Sequence, residues 1–303
     1  RALVSEVQGD QADQVELVLG GEPRAEALLA DGESRPFSLD VRVHADSHPT
    51  LRDHSVKGTP VVPVALALEW MSQAARAHSP ELHLAAVRDV KVLKGMVLEG
   101  YDGAGDWYTI TATRVADGVL ALEVRGHKGF VHYRAHADMA EQPPAPGPVP
   151  QVGVEPWSTD VYDGHVLFHG PDFQVVTALQ GASQAGVVGD LVGGADRGWA
   201  EGGWASDPAF TDGALQMAVL WAKYLYGGAS LPTAVGSFTV YKPGLRRGPH
   251  RCVVVGRSHR DTKTTTDVVL VDASGAVVSE LRGIETHLLP GEKKTSPGAH
   301  PSA

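Results

Sequence analysis

The chain has 303 residues, 43% apolar and 20% charged, with a net charge of −10 and one cysteine, Cys252. This composition supports a packed core and excludes disorder over most of the length; the acidic balance argues against nucleic acid, which needs a clustered basic face. A lone cysteine excludes an intramolecular disulfide framework and fits a reducing, cytoplasmic setting, and the most apolar run, residues 61–68, is too short for a membrane span and contains Pro63.

No charged-then-apolar leader opens the sequence, and residue 1 is arginine, so the chain reads as a segment of a longer polypeptide. In chain order, strands are expected at residues 14–19 and 37–43, where apolar and polar residues alternate. A buried helix follows at about residues 63–77, apolar on nearly every face, with Pro63 suited to its first turn. Strand patterns at 107–115 and 119–125 flank Ala116-Asp117-Gly118, a hairpin turn, and another strand is expected at 130–136. Residues 142–150 read QPPAPGPVP, an extended linker with five prolines and no charge. Beyond it come strands at 173–179, a second apolar helix at about 212–225, and strands at 237–241, 252–256, 266–271 and 276–281. The last two flank Asp-Ala-Ser-Gly. Residues 291–303 read as a disordered tail or interdomain linker.

The halves on either side of the linker, residues 1–141 and 151–290, look alike. Each has one buried helix among antiparallel strands, an α+β arrangement occurring twice. An internal echo supports duplication: His48-Pro49-x-Leu51-x-Asp53 precedes the first helix, and Asp207-Pro208-x-Phe210-x-Asp212 opens the second.

The candidate chemistry sits at these two places. His54, Gly58 and Pro63 form His-x-x-x-Gly-x-x-x-x-Pro. A histidine just before a buried helix, in apolar surroundings near a helix N-terminus, is biased toward the neutral imidazole that accepts protons. Gly58 is expected where backbone approaches something closely. His54 is also one of 14 histidines, and a loop histidine satisfied by hydrogen bonds fits it as well. In the second half, Asp212 and Gln216 are four apart on one helix face and within reach of each other. Burial is expected to raise the Asp212 pKa and keep it a protonated acid; an N-cap aspartate is the alternative. If the halves pack about a pseudo-twofold axis, both side chains point into one channel. His44, His48 and His54 lack a completing set of cysteines or carboxylates, so no metal is expected.

At these residues the sequence resembles the dehydratase domains of polyketide synthases and of polyunsaturated fatty acid synthase-type multienzymes. HPTLRDHSVKGTPVVP, residues 48–63, resembles their first signature, and DPAFTDGALQ, residues 207–216, their second. LFHGPDFQ, residues 167–174, is similar to a third, usually Gly-Tyr-x-Tyr-Gly-Pro-x-Phe. Gly170, Pro171 and Phe173 match it, whereas Leu167 and His169 stand where tyrosines are common. That substitution, with Val-Leu-Lys-Gly at residues 92–95, is closer to polyunsaturated fatty acid synthases. The resemblance covers roughly residues 1–290 and implies a double hotdog, two antiparallel sheets each wrapped around a central helix. It implies that a 3-hydroxyacyl thioester is dehydrated to a 2-enoyl thioester, with His54 as base, Asp212 as acid and Gln216 orienting the acid. Gly58, Pro63, His169, Gly170, Pro171 and Phe173 are then substrate-binding candidates, with His169 a donor in place of a tyrosine. A backbone amide near Gly58 or at the start of the first helix is the candidate donor to the thioester oxygen.

The implied partners are an acyl carrier protein, whose phosphopantetheine arm carries the substrate, and neighbouring synthase domains; no cofactor bound by the domain itself is implied. A homodimer through the parent synthase is a further expectation. An acidic carrier protein needs a basic landing patch, for which Arg88, Lys91 and Lys94, or Lys242, Arg246, Arg247 and Arg251, are candidates. The competing readings are a product-template-type cyclase, a catalytically silent dehydratase-like scaffold and a hotdog thioesterase.

Overall fold

The computed structural model describes residues 36–290 and residue 292. The strand expected at 14–19 and, apart from residue 292, the tail expected at 291–303 lie outside the described residues. The first lobe contains β1 (Phe37–Val43), β2 (Ser55–Val56), β3 (Thr59–Val62), α1 (Val64–His78), β4 (His83–Val92), β5 (Met96–Val97), β6 (Asp106–Ala116), β7 (Val119–Gly126) and β8 (Val131–Ala140). Residues 143–154 carry no helix or strand. The second lobe contains β9 (Val176–Ser183), β10 (Gly186–Leu191), α2 (Pro208–Tyr226), β11 (Ser230–Val240), β12 (His250–Arg260), β13 (Lys263–Val271) and β14 (Val277–Leu288).

Eleven of the strands form one antiparallel sheet in the order β1-β6-β7-β8-β4-β11-β14-β13-β12-β10-β9. Each half of this sheet curls around its own helix. α1 packs on β1, β4, β6, β7 and β8, and α2 on β9 to β14. The halves meet where β4 pairs with β11, with Val87 opposite Phe238 and Val90 opposite Val235; all four side chains are buried. The two sheets of the double hotdog are thus one continuous ladder.

Local sequence accounts for the elements. β6 buries Tyr108, Ile110 and Ala112 and turns the residues between them outward, the period-2 pattern of a strand with one covered face. The β6–β7 turn carries Gly118 at φ 64, and the β13–β14 turn carries Gly275 at φ 86. α1 has Pro63 as its N-cap, and Ala65 to Ser72 are all buried, including the acidic Glu69.

α2 begins four residues earlier than the apolar pattern suggested. Asp207 is its N-cap, accepting from the Phe210 amide, and Pro208 occupies the first turn, where no amide hydrogen is needed. Asp212 therefore lies in the second turn and is not an N-cap. The strand expected from residue 173 begins at Val176, because Pro171–Phe173 forms a 3-10 turn.

Candidate active site

His54 follows a 3-10 turn, Pro49–Asp53, and its amide closes that turn on the Leu51 carbonyl. The turn is held from outside by Tyr101, whose hydroxyl donates to the His48 carbonyl. His54 Nδ1 lies 2.7 Å from the Val61 carbonyl oxygen. A carbonyl only accepts, so Nδ1 carries the hydrogen and Nε2 is left with its lone pair free. Burial, the largest influence, lowers the His54 pKa to about 4, although Asp212 pulls the other way. At neutral pH His54 is an uncharged base, as its place in the sequence suggested.

Asp212 is 5% exposed and faces His54 across the junction of the lobes. Its Oδ2 accepts from Gln216 Nε2 at 2.8 Å. Gln216 also donates to the Phe173 carbonyl and accepts at Oε1 from the Tyr162 hydroxyl, which itself accepts from the Val176 amide. The third member is His169, whose Nε2 lies 3.1 Å from Asp212 Oδ2. One ligand-type atom from each of His54, His169 and Asp212 lies within 4.8 Å of the others. Phe168 stacks on the His169 ring at 4.6 Å and 12°, and Phe173 lies 5.2 Å from the His54 ring. The polar trio is therefore set in an aromatic wall.

Sequence reasoning expected burial to raise the Asp212 pKa, and this is corrected. Burial is the largest influence and acts upward. It is outweighed by the hydrogen bond and charge of His169, the charge of His54 and the hydrogen bond from Gln216, so the pKa lies below the ordinary aspartate value. Two imidazoles and an amide solvate this carboxylate where water does not.

The other candidates divide. Gly58 sits at the exposed tip of the β2–β3 hairpin, with Lys57 at φ 52 and Gly58 at φ 82. A Cβ there would meet nothing within 4 Å, so glycine is required by the left-handed turn and not by close approach. Pro63 is buried at the start of α1, and Pro171 is exposed at the start of its turn. Gly170 does serve a close approach: a Cβ there would lie 2.7 Å from the Asp53 carboxyl carbon. Its amide donates to the Asp53 carbonyl, and the Asp172 amide donates to the Asp53 carboxylate. The residue preceding His54 thus clamps the loop that carries His169.

Asp53, Tyr162, Phe168 and Glu69 were not singled out from sequence as site residues. Glu69 reaches from α1 to the segment before α2, accepting from the Ala205 and Ser206 amides and the Ser206 hydroxyl. Its sequence signal was a lone acid in an apolar helix. Trio geometry also gives a donor set of two imidazoles and a carboxylate that fits a divalent cation. The anticipated basic patches are partly neutralised: Arg88 pairs with Asp89 and Asp138, Lys242 with Asp272 and Arg247 with Glu201, while Lys94 lies over the Phe130 ring. No helix among the described residues is long and apolar enough to cross a membrane.

A buried histidine and aspartate meeting between two helix-in-sheet lobes define a double-hotdog dehydratase architecture. The family model described as "Polyketide synthase dehydratase N-terminal domain" matches residues 137–296, more than half of the chain, and "Polyketide synthase dehydratase domain" matches residues 26–125. The chain belongs to the polyketide synthase dehydratase family. It is 27% identical over 252 residues to a polyunsaturated fatty acid synthase polypeptide of Thraustochytrium sp., a match covering 77% of this chain but only 9% of that relative. Among solved structures it is similar to the dehydratase domain of a mycocerosic acid synthase-like polyketide synthase (TM-score 0.69, 20% identity, 86% of this chain and 93% of that one). It is similar also to the dehydratase domain from the CurF module of curacin polyketide synthase (TM-score 0.69, 18% identity, 86% and 96%).

Proposed function

We propose that this domain removes water from a 3-hydroxyacyl thioester to give a 2-enoyl thioester, with His54 taking the C2 proton and the Asp212 side of the site protonating the departing hydroxyl. One observation carries the reading: His54 and Asp212, 158 positions apart in the chain, place their polar atoms within 4.8 Å of each other. That spacing suits two groups acting on neighbouring carbons of one acyl chain. The free Nε2 lone pair of His54 matches the requirement for a base, and the low-polarity wall strengthens every charge interaction in the site. Gln216 holds Asp212, while Phe168 and Phe173 line the slot beside it. His169 and Gly170 shape the side nearest the hydroxyl.

The substrate is read as riding on the phosphopantetheine arm of an acyl carrier protein, with neighbouring synthase domains supplying and consuming the acyl chain in a cytoplasmic multienzyme. No bound cofactor is assigned, and pairing of two copies through the parent synthase accompanies this reading. The test is to incubate the chain with a 3-hydroxyacyl pantetheine thioester and follow enoyl absorbance. A dehydratase gives that absorbance with release of water. Free acid overturns the reading in favour of a thioesterase, and no reaction overturns it in favour of a cyclase or a silent domain.

A further inference from the structure

We propose that Asp53 is a positioning residue for the reaction: by gripping the 3-10 turn Pro171–Phe173 it sets the spacing between His54, its neighbour in the chain, and Asp212 in the other lobe. The inference rests on the dehydration reading and deepens it.

The turn is held from both lobes. On the first-lobe side the Gly170 amide donates to the Asp53 carbonyl at 2.7 Å, and the Asp172 amide donates to Asp53 Oδ2 at 2.8 Å. On the second-lobe side Gln216 Nε2 donates to the Phe173 carbonyl at 2.8 Å and to Asp212 Oδ2 at 2.8 Å. Between the two grips the turn closes on itself, the Phe173 amide donating to the Gly170 carbonyl at 3.0 Å. Asp53 is itself the last residue of a closed turn, because the His54 amide returns to the Leu51 carbonyl at 3.0 Å. The path from His54 to Asp212 is therefore one peptide link, one short turn and one glutamine side chain.

The approach of the two turns is encoded on both sides. Gly170 has φ −81, which any residue adopts, so its missing side chain serves the contact and not the backbone. A Cβ there would lie 2.7 Å from the Asp53 carboxyl carbon and 2.9 Å from its Cβ. Asp53 accepts through both its main chain and its side chain, which fixes direction as well as distance, and a carboxylate accepts from an amide more strongly than a neutral oxygen does. The far side of the turn is already tied to the second lobe: Trp199 Nε1 donates to the Asp172 carbonyl at 3.2 Å, and Gln174 Nε2 to the His169 carbonyl at 2.9 Å. Removing the Asp53 carboxylate leaves those ties in place and loosens the turn from the first lobe. The Glu69 clamp and the β4–β11 pairing also join the lobes, but they act on α1 and on the sheet, whereas His54 lies between the Pro49–Asp53 turn and β2.

This gives Asp53 a kinetic role. The polar atoms of His54 and Asp212 lie within 4.8 Å of each other. Two groups that act on adjacent carbons depend on that spacing, and a misplacement of about 1 Å costs about 100-fold in rate. With the Glu69 clamp and the sheet intact, loss of the grip spreads the two groups without unfolding the chain.

The experiment assays the 303-residue chain with 3-hydroxybutyryl pantetheine thioester as wild type, Asp53→Ala, Asp53→Asn and Gly170→Ala, with near-ultraviolet circular dichroism confirming the fold of each. Asp53→Ala is expected to lower kcat about 100-fold with KM within about threefold. Asp53→Asn keeps a side-chain oxygen that accepts from the Asp172 amide and is expected to recover at least about tenfold over Ala. Gly170→Ala pushes the turn away from the other side, is expected to lower kcat at least about tenfold, and takes the place of Asp53→Ala if that variant does not fold. Crystal structures of wild type and of the folded variant are expected to show a longer His54–Asp212 separation in the variant. Near-normal kcat in Asp53→Ala, a loss confined to KM, Asn no better than Ala, or an unchanged separation overturns the proposal. If wild type makes no enoyl product, the dehydration reading fails, and the crystal structures decide the spacing by themselves: a longer separation supports the role given to Asp53, and an unchanged one overturns it.

Discussion

Each lobe carries the pattern Pro-x-apolar-x-Asp, and the two do opposite things with it. In the first lobe Pro49-x-Leu51-x-Asp53 makes one 3-10 turn and stops, delivering His54 from a short connection before β2. In the second, Pro208-x-Phe210-x-Asp212 runs on as a 19-residue helix. The cap makes the difference. Asp207 accepts from the amides of Phe210, Gly194 and Arg246, so the start of α2 is tied to two other segments. His48 makes no side-chain cap hydrogen bond. The buried Asp212 carboxylate is built into a helix; the buried His54 imidazole sits on a turn, steered by the Val61 carbonyl.

The largest test of this contrast removes the first lobe's contribution. His54→Ala is expected to lower enoyl formation by at least about 1,000-fold while the melting temperature moves only a few degrees, since one hydrogen bond is lost. Near-normal turnover in that variant breaks the assignment of the base. The second test cuts the link between the lobes. Glu69→Ala strips the Ala205 and Ser206 amides and the Ser206 hydroxyl of their buried acceptor and is expected to cost about 3–5 kcal/mol in urea unfolding. A cost below about 1 kcal/mol shows that α2 does not need the clamp.

The third test uses pH. His54 has a folded pKa of about 4 against 6.5 unfolded, so between these values the unfolded chain binds the extra proton. Stability from this group is complete above pH 6.5 and falls as pH drops toward 4, by at most about 1.4 kcal/mol per unit. The difference in urea midpoint between wild type and His54→Phe isolates its share; a difference independent of pH refutes the neutral buried ring. The smallest test compares two glycines. Gly213→Ala places a Cβ 2.5 Å from Val175 Cγ2 beside Asp212 and should cost about 1–3 kcal/mol. Gly58→Ala meets open space at φ 82 and should cost about 1 kcal/mol, with little change in turnover. Equal costs at the two positions would blur the distinction between packing and backbone strain.

Much of the fold was legible because its periods are clean. β1 is read from its alternation with both ends correct, and the two hairpins follow from Asp117-Gly118 and the Asp272 to Gly275 turn. β4 and β10 escaped notice for physical reasons. β4 carries Asp89 at φ 54 inside an irregular stretch of pairing, which interrupts alternation, and β10 is short and holds Gly186 and Gly189. At the site, residue types at motif spacing pointed to His54, Asp212 and Gln216. The sign of the Asp212 pKa shift was not legible, because it depends on His169 arriving from a loop 43 residues earlier in the chain. Burial can be guessed from neighbours in sequence; a counter-charge cannot.

The β4–β11 pairing has a consequence for how such a molecule ages. Its seam is stitched by main-chain amides and carbonyls, which every non-proline residue supplies alike. Substitutions can accumulate along both strands while the angle between the halves is preserved, provided apolar residues of matching volume fill the underside. A reaction that depends on ångström-scale placement across the seam is thereby insulated from the drift of the wording that encodes it.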